Sequence, residues 1–147
     1  MPNSDDDSPQ ALADACANAL WENDHCSKSR GIELVSVAPG TAVVEMQVRR
    51  DMLNGHGTCH GGVLFTLADT AFAMACNTYN QNAVAQHCNV SFLLPVAEGE
   101  HLKAVASERS RVGRSGIYDV VVSNAEGSVV AEFRGFSRTV KSTLLPS

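Results

Sequence analysis

The spacing of apolar residues changes along the chain and divides it into predicted helices and strands. Near the start, helical spacing is kept by Leu12, Ala15, Cys16, Ala19 and Leu20. This predicts a helix over residues 9–23, begun by a capping serine and a first-turn proline. A second helical turn over residues 25–30 ends at Gly31. Alternating apolar and polar side chains then predict strands over residues 32–38 and 41–48.

The second half of the chain begins with its longest apolar segment. Residues 63–76 are apolar nearly throughout and predict a long helix. Four more strands follow by alternation, over residues 87–94, 101–111, 116–123 and 129–140. The turns between them are too short for parallel crossovers, so we expect a mostly antiparallel sheet. The pattern therefore predicts an α+β fold in which a sheet covers a central helix, with another helix preceding it.

Length and composition are those of one globular domain. The chain has 147 residues, of which 44% are hydrophobic and 18% charged. We expect an acidic, disordered tail over residues 1–8, a single domain over residues 9–141 and a C-terminal tail over residues 142–147. The net charge of −5 argues against nucleic-acid binding. Without a membrane-spanning run or signal segment, we expect a cytoplasmic protein that binds no membrane.

Polar groups crowd the start of the long helix. Asn54 and His60 precede Gly61 and Gly62, and Asp69 is the one carboxylate within the apolar segment. The first N–H groups of a helix lack partners within it and lie at the positive end of its dipole. A carbonyl oxygen or oxyanion is stabilised there. An anion site and a buried acid in one segment indicate acyl chemistry.

These segments resemble a known family. The residues that carry the likeness are Asn-Gly at 54–55, His-Gly-Gly at 60–62, Leu-Ala-Asp-Thr-Ala at 67–71 and Phe-Leu-Leu-Pro at 92–95. They resemble the hotdog-fold acyl-CoA thioesterases, in particular the PaaI type of phenylacetate degradation. Gly-Ile-Tyr-Asp at 116–119 and Phe-Arg-Gly at 133–135 are similar too, so the likeness covers roughly residues 21–139. The resemblance implies a curved antiparallel sheet wrapped around a long helix, a homodimer that often pairs into a homotetramer, an acyl-CoA substrate and no cofactor.

The spacing of Gly61 and Asp69 adds a geometric requirement. Eight positions separate them, which is about 12 Å along a helix axis. An oxyanion donor and a base or nucleophile must each lie within about 3 Å of the reacting group. If both act on one substrate, Asp69 must come from the neighbouring subunit across a two-fold axis.

Roles for the site residues follow. The Gly61 N–H would polarise the thioester carbonyl, and Asp69 would act as general base or as nucleophile. Asn54 would order water or the carboxylate, and His60 would either hydrogen-bond the thioester sulfur or shape the loop. His87 falls where related enzymes often carry a water-positioning group. The remaining residues expected along the acyl group and the helix start are Leu53, Gly62, Phe65 and Phe92.

Positive charge concentrates at one predicted hairpin. Arg109, Arg111 and Arg114, followed by Ser115 and Gly116, would suit the phosphates of coenzyme A. A solvated hairpin tip explains the same pattern equally well.

Other functions would draw on the same residues. His56, Cys59 and His60 lack a clear fourth ligand, so no metal site is expected. A non-catalytic acyl-CoA-binding dimer and a hotdog-fold enoyl-CoA hydratase both remain open as alternatives, although no Asp–His pair typical of a hydratase is visible.

Overall fold

The computed structural model describes residues 8–147. The predicted acidic tail lies outside these residues except for Ser8. The described helices are α1 (Pro9–Glu22), α2 (His25–Ser29), a short 3-10 helix (Arg50–Met52) and α3 (Gly61–Cys76). The strands are β1 (Glu33–Ala38), β2 (Thr41–Gln47), β3 (Ala83–Phe92), β4 (His101–Val112), β5 (Ser115–Asn124) and β6 (Val129–Thr139).

All of these strands join one antiparallel sheet in the order β1-β2-β4-β5-β6-β3. Each strand presents alternate side chains to opposite faces. On β5, for example, Tyr118, Val120 and Val122 are buried against the helix side, while Asp119 and Val121 face outward. The α+β architecture expected from the pattern is therefore observed, with α3 packed on the inner face of the sheet.

Helix α3 is buried because its sequence is apolar on almost every side. Leu64, Leu67 and Phe72 are among its buried side chains. Phe72 packs edge-on against Tyr118 with 5.7 Å between ring centroids. Gly135 on β6 lies where a Cβ would come within 2.7 Å of the Phe72 ring, so a side chain there would displace the ring. The sheet and α3 are therefore closely packed around Phe72.

One stripe of α3 is left uncovered by the other described residues of the chain. Gly62, Thr66, Asp69 and Ala73 lie on one side of the helix at steps of three and four positions, and all are exposed or half-buried. Within residues 8–147, strand β3 lies at the edge of the sheet, pairs only with β6 and has no buried residue. The single carboxylate of α3 therefore lies on its open side.

The first two helices begin at side-chain caps. Ser8 accepts a hydrogen bond from a first-turn N–H of α1 at 3.0 Å, ahead of the predicted proline. Asp24 caps α2 by accepting from the N–H of Ser27 at 3.1 Å. The hydroxyl of Ser27 lies 2.9 Å from that of Thr70, which joins α2 to α3.

Two features differ from the sequence prediction or extend it. Strand β3 begins at Ala83, four positions before the predicted start at residue 87, because Asn77 binds both the N–H and the carbonyl of Ala83. The 3-10 helix was not predicted.

Beyond β6, Asn80 accepts from the N–H groups of Leu144 and Leu145. No helix within residues 8–147 combines the length and apolar character needed to cross a membrane.

Candidate active site

Asn54 closes the loop that leads into α3. Its side-chain oxygen accepts from the N–H of His56 at 2.9 Å and from the N–H of Thr58 at 3.2 Å. An Asn oxygen that binds the backbone two positions on is a common way to fix a tight turn. The side-chain NH2 of Asn54 finds no partner among the described residues, and Asn54 lines the cleft at the helix start. The structure thus assigns the oxygen to the loop and leaves the nitrogen available.

His60 is the N-cap of α3. Its backbone is extended, with φ −61° and ψ 135°, and its Nδ1 accepts from the N–H of Gly62 at 2.9 Å. Because Nδ1 accepts, the ring proton is carried by Nε2. His60 therefore shapes the helix start, one of its two expected roles. The exposed Nε2–H remains a donor toward a bound group.

Gly61 provides the free N–H at this helix start. As the first residue of α3 it has no acceptor within the helix, and none of the residues 8–147 outside the helix accepts from it. The N–H of Gly62, which was expected to be free as well, is occupied by His60. Only one of the two glycines thus offers its N–H to a ligand.

A cleft of about 370 Å³ opens beside Gly61. The ring of Phe92 borders it, and a Cβ on Gly61 would lie only 3.1 Å from that ring. The cleft walls are mainly apolar, with Leu64, Phe92, Leu93, Leu94, Pro95 and Val96 beside Asn54, Thr58, Cys59 and Gly61. The structure therefore places Phe92 and Asn54 together with Gly61 at one apolar opening.

Asp69 lies further along the open stripe of α3. No group within residues 8–147 hydrogen-bonds its carboxylate or pairs with it as a cation. Burial raises the pKa of Asp69, and the negative charge of Asp24 raises it further. Both effects disfavour the charged form, so this carboxylate takes up a proton more readily than a free one.

The other residues expected to contact the substrate do not all lie near Gly61 and Asp69. Phe65 lies midway between Gly61 and Asp69 along α3 and is half-buried. Its ring packs edge-on against Phe133, with 5.4 Å between ring centroids. Leu53 pairs with Cys59 in an isolated bridge at the loop. His87 instead stacks on Phe136 on the outer face of the sheet, so within one chain it does not join Gly61 and Asp69.

The three arginines do not form one cluster. Arg109 pairs with Asp119 at 3.3 Å on the outer face, and Arg111 pairs with Glu108 at 3.5 Å. The Arg111 guanidinium also lies 3.5 Å from the ring centroid of Tyr79.

Arg114 is the arginine of this hairpin whose charge is not paired. It donates only to the carbonyl of Thr139, at 3.3 Å, and no carboxylate within residues 8–147 pairs with it. Ser115 and Gly116 lie with Arg111 and Arg114 around a narrow cavity at the hairpin base. Arg114 is therefore the strongest phosphate candidate of the set.

Asp24 is the residue near the site that sequence reasoning missed. The Asp-x-x-Ser pattern at residues 24–27 signals a helix cap, but it contains nothing that places the cap beside Asp69. Within the described residues no group of three or more His, Cys, Asp or Glu side chains is arranged to hold a metal ion.

Comparison with known proteins identifies the family. A profile described as the thioesterase superfamily matches residues 56–131, which include the whole of α3 and the last five residues of the loop before it. The acyl-coenzyme A thioesterase PaaI of Escherichia coli is 47% identical over 128 residues, covering 87% of this chain and 91% of that protein. The chain belongs to the thioesterase superfamily. Human acyl-coenzyme A thioesterase 13 is 32% identical over 106 residues, covering 70% of this chain and 76% of that protein.

The solved structure of the E. coli PaaI protein, from the phenylacetic acid degradation operon, agrees in fold. It superposes with a TM-score of 0.91 at 46% identity and covers 92% of this chain and 99% of that one. The predicted hotdog fold, the likeness to the PaaI type and the assignment as a thioesterase enzyme are confirmed. The individual roles of the site residues stay predictions.

The cap at the start of α3 can be tested on stability. We expect His60→Ala to lower the free energy of unfolding by about 1 kcal/mol, because the N–H of Gly62 loses its acceptor. His60→Asn should retain most of that stability, since Asn is a strong N-cap residue. Urea unfolding of the two variants measures the difference.

His56→Ala is the matched control for that comparison. It removes the same side chain from the exposed loop, where no hydrogen bond of the imidazole is made within residues 8–147. Equal stabilities of His56→Ala and His60→Ala would show that the cap contributes nothing.

Proposed function

We propose that this protein hydrolyses acyl-CoA thioesters, with an aryl group of the phenylacetyl type or a medium-length acyl chain as substrate. The observation that carries the proposal is Asp69, a half-buried carboxylate that has no partner among residues 8–147 and lies on the open stripe of an otherwise apolar helix. Burying a carboxylate without a partner costs stability, so such a group is retained for a function. Relatives from E. coli and human are named acyl-coenzyme A thioesterases, which supports the substrate class.

The active unit in this proposal is a homodimer with shared sites. Gly61 and Asp69 are about 12 Å apart along α3, too far to act together on one carbonyl. When two antiparallel helices are related by a two-fold axis near Phe65, Gly61 of each chain lies opposite Asp69 of the other. Each dimer then has two equal sites.

Strand β3 supports the same axis. Gly61 lies against Phe92, and Asn77 at the end of α3 hydrogen-bonds Ala83 at the start of β3, so α3 and β3 run in opposite directions past each other. The negative charge of Asp69 also raises the pKa of Cys88, four positions before Phe92. Four strand positions span about 13 Å, close to the 12 Å between Gly61 and Asp69. A two-fold axis near Val90 would therefore align two β3 edges while it aligns two α3 helices.

The open edge of β3 also suits such pairing. An edge strand presents unpaired N–H and carbonyl groups to another chain. Val84, Phe92 and Leu93 are each 52% exposed along or just after this edge, and a partner would cover them. The further pairing of dimers into a tetramer and a cytoplasmic location stay predictions.

The chemistry assigned to the two groups is complementary. The thioester carbonyl oxygen accepts from the Gly61 N–H, and the positive end of the α3 dipole stabilises the negative charge that forms on it. Asp69 of the partner chain takes a proton from water as the water oxygen bonds to the carbonyl carbon. The C–S bond then breaks, and the coenzyme A thiolate leaves and is protonated. The raised pKa of Asp69 suits a base that works near neutral pH.

Isotope labelling separates this role from the alternative, in which Asp69 attacks the carbonyl directly. In a single turnover in ¹⁸O-labelled water, a general base leads to one labelled oxygen in the acid product. A nucleophile would form a mixed anhydride between Asp69 and the acyl group, with release of the coenzyme A thiolate. Water that attacks this anhydride at the Asp69 carbonyl leaves the label on Asp69 and gives an acid product whose new oxygen is unlabelled. Label found on Asp69 by mass spectrometry would therefore identify the nucleophile.

The shared site is tested by mixing two inactive variants. Asp69→Asn should lower the release of free thiol from phenylacetyl-CoA by about two to four orders of magnitude, as expected for a lost base. Gly61→Pro deletes the proposed oxyanion donor, and the extended backbone of His60 tolerates a following proline. Mixed dimers of the two should regain up to about half the wild-type rate, because one site per dimer is intact.

Gly61→Ala is the matched control. It adds the same Cβ toward Phe92 but keeps the N–H, so the loss seen in Gly61→Pro beyond that in Gly61→Ala belongs to the N–H and to the ring carbons that replace it. If verified subunit exchange restores no activity, the shared-site arrangement is wrong. If the wild type releases no thiol from aryl, medium-chain or short acyl-CoA, the proposed function itself fails.

Binding of the coenzyme A phosphates is assigned to Arg114. Arg114→Gln should raise KM severalfold at low salt with kcat nearly unchanged, because phosphates far from the thioester contribute uniform binding. Arg109→Gln is the control, since Arg109 is already paired with Asp119 on the outer face. Equal KM values for both variants across salt concentrations would favour the solvated hairpin instead.

A further inference from the structure

A row of short hydrogen bonds leads from Asp24 to α3 beside Asp69. The Asp24 carboxylate accepts from the hydroxyl of Ser27 at 2.7 Å, and that hydroxyl lies 2.9 Å from the hydroxyl of Thr70. Thr70 in turn donates to the carbonyl of Thr66 at 2.7 Å. Ser27 and Thr70 are only 2% and 5% exposed, so the row runs through the interior. The row therefore links Asp24 through two hydrogen bonds to Thr70, the residue that follows Asp69.

This row has fewer hydroxyl protons than contacts between oxygen atoms. Ser27 and Thr70 supply one hydroxyl proton each, while three contacts join Asp24, Ser27, Thr70 and Thr66. The ionised carboxylate attracts the Ser27 proton, because charge-assisted hydrogen bonds are the stronger ones. Thr70 then divides one proton between two acceptors. The Asp24 carboxylate is thus held in place by a buried network that leaves its negative charge near Asp69.

The other titratable groups that bear on Asp69 are thiols. Cys76 on α3 and Cys88 on β3 interact with it, and burial raises the pKa of both, to about 12 for Cys76. Both thiols are therefore neutral at physiological pH. Among the described residues, Asp24 is the charge that acts on Asp69, and it raises the pKa of Asp69 in the same direction as burial.

We propose that Asp24 is a positioning residue for Asp69: the hydrogen-bonded row through Ser27 and Thr70 holds its negative charge beside the segment of α3 that carries Asp69. The inference rests on the proposed role of Asp69 as the base. Two nearby carboxylates repel each other when both are ionised, so the charge of Asp24 favours the protonated form of the half-buried Asp69.

Asp24→Asn tests the proposal while keeping the fold. Asn is as good an N-cap as Asp, so α2 retains its cap and only the charge is removed. The acid limb of the pH dependence of kcat/KM for phenylacetyl-CoA should move to lower pH, with KM nearly unchanged. The ¹³C signal of the Asp69 carboxyl, identified by its absence in Asp69→Asn, should titrate at correspondingly lower pH. If Asp24→Asn does not fold, Asp24→Ser removes the same charge and keeps a capping oxygen.

Asp14→Asn is the matched control, since it removes an equal charge from an exposed position on α1. An Asp69 signal that titrates alike in Asp24→Asn and Asp14→Asn would overturn the proposal. So would a shifted signal without a shift of the acid limb, because Asp24 would then act on a group that does not control the rate. The NMR measurement needs no turnover, so absence of thiol release by the wild type would defeat the proposed function without deciding this coupling.

Discussion

The structure depends on the burial of one helix that has almost no polar side. Water is excluded from Leu64, Leu67 and Phe72 of α3 only because the sheet bends around them, and each such side chain contributes about 1.5–3 kcal/mol on burial. A single sheet cannot close around a helix completely, so one stripe remains open beside the edge strand β3. The position of that stripe decides which residues of α3 are available for chemistry and which are only core.

The one charge on α3 lies on this stripe, and its placement has an energetic consequence. Burial and Asp24 both raise the pKa of Asp69, so the folded protein binds a proton there more readily than the unfolded chain does. Above the pKa that Asp69 has in the unfolded chain, ionisation of Asp69 lowers the free energy of unfolding, and the loss is complete above the raised pKa of the folded protein. The loss disappears as pH falls below the pKa of Asp69 in the unfolded chain. The chain thus gives up stability at neutral pH at the position of the proposed base. Such a trade is common at active sites.

Sequence patterns predicted the features that depend on neighbouring residues. They did not predict contacts between segments that are distant along the chain. The start of α1 was predicted from Ser8 and the proline that follows it, because a cap binds its own first turn. The antiparallel sheet followed from short turns and alternation. By contrast, the separation of Arg109 from Arg114 depends on a bulge in β4 and on partners from other strands. The contact of Ser27 with Thr70 joins residues forty-three positions apart, and no local pattern contains it.

The two glycines at the start of α3 illustrate why one motif can serve two purposes. At Gly62 a Cβ would lie 3.2 Å from Nδ1 of His60, so the absence of a side chain gives the capping imidazole its room. At Gly61 a Cβ would press on the ring of Phe92 at the edge of the cleft. The cap satisfies the second N–H and leaves the first one free, beside an apolar opening and at the positive end of the helix dipole. A helix start with both N–H groups satisfied would be more stable but could not bind a carbonyl oxygen. The His-Gly-Gly sequence is therefore best explained as an arrangement that keeps a single donor available.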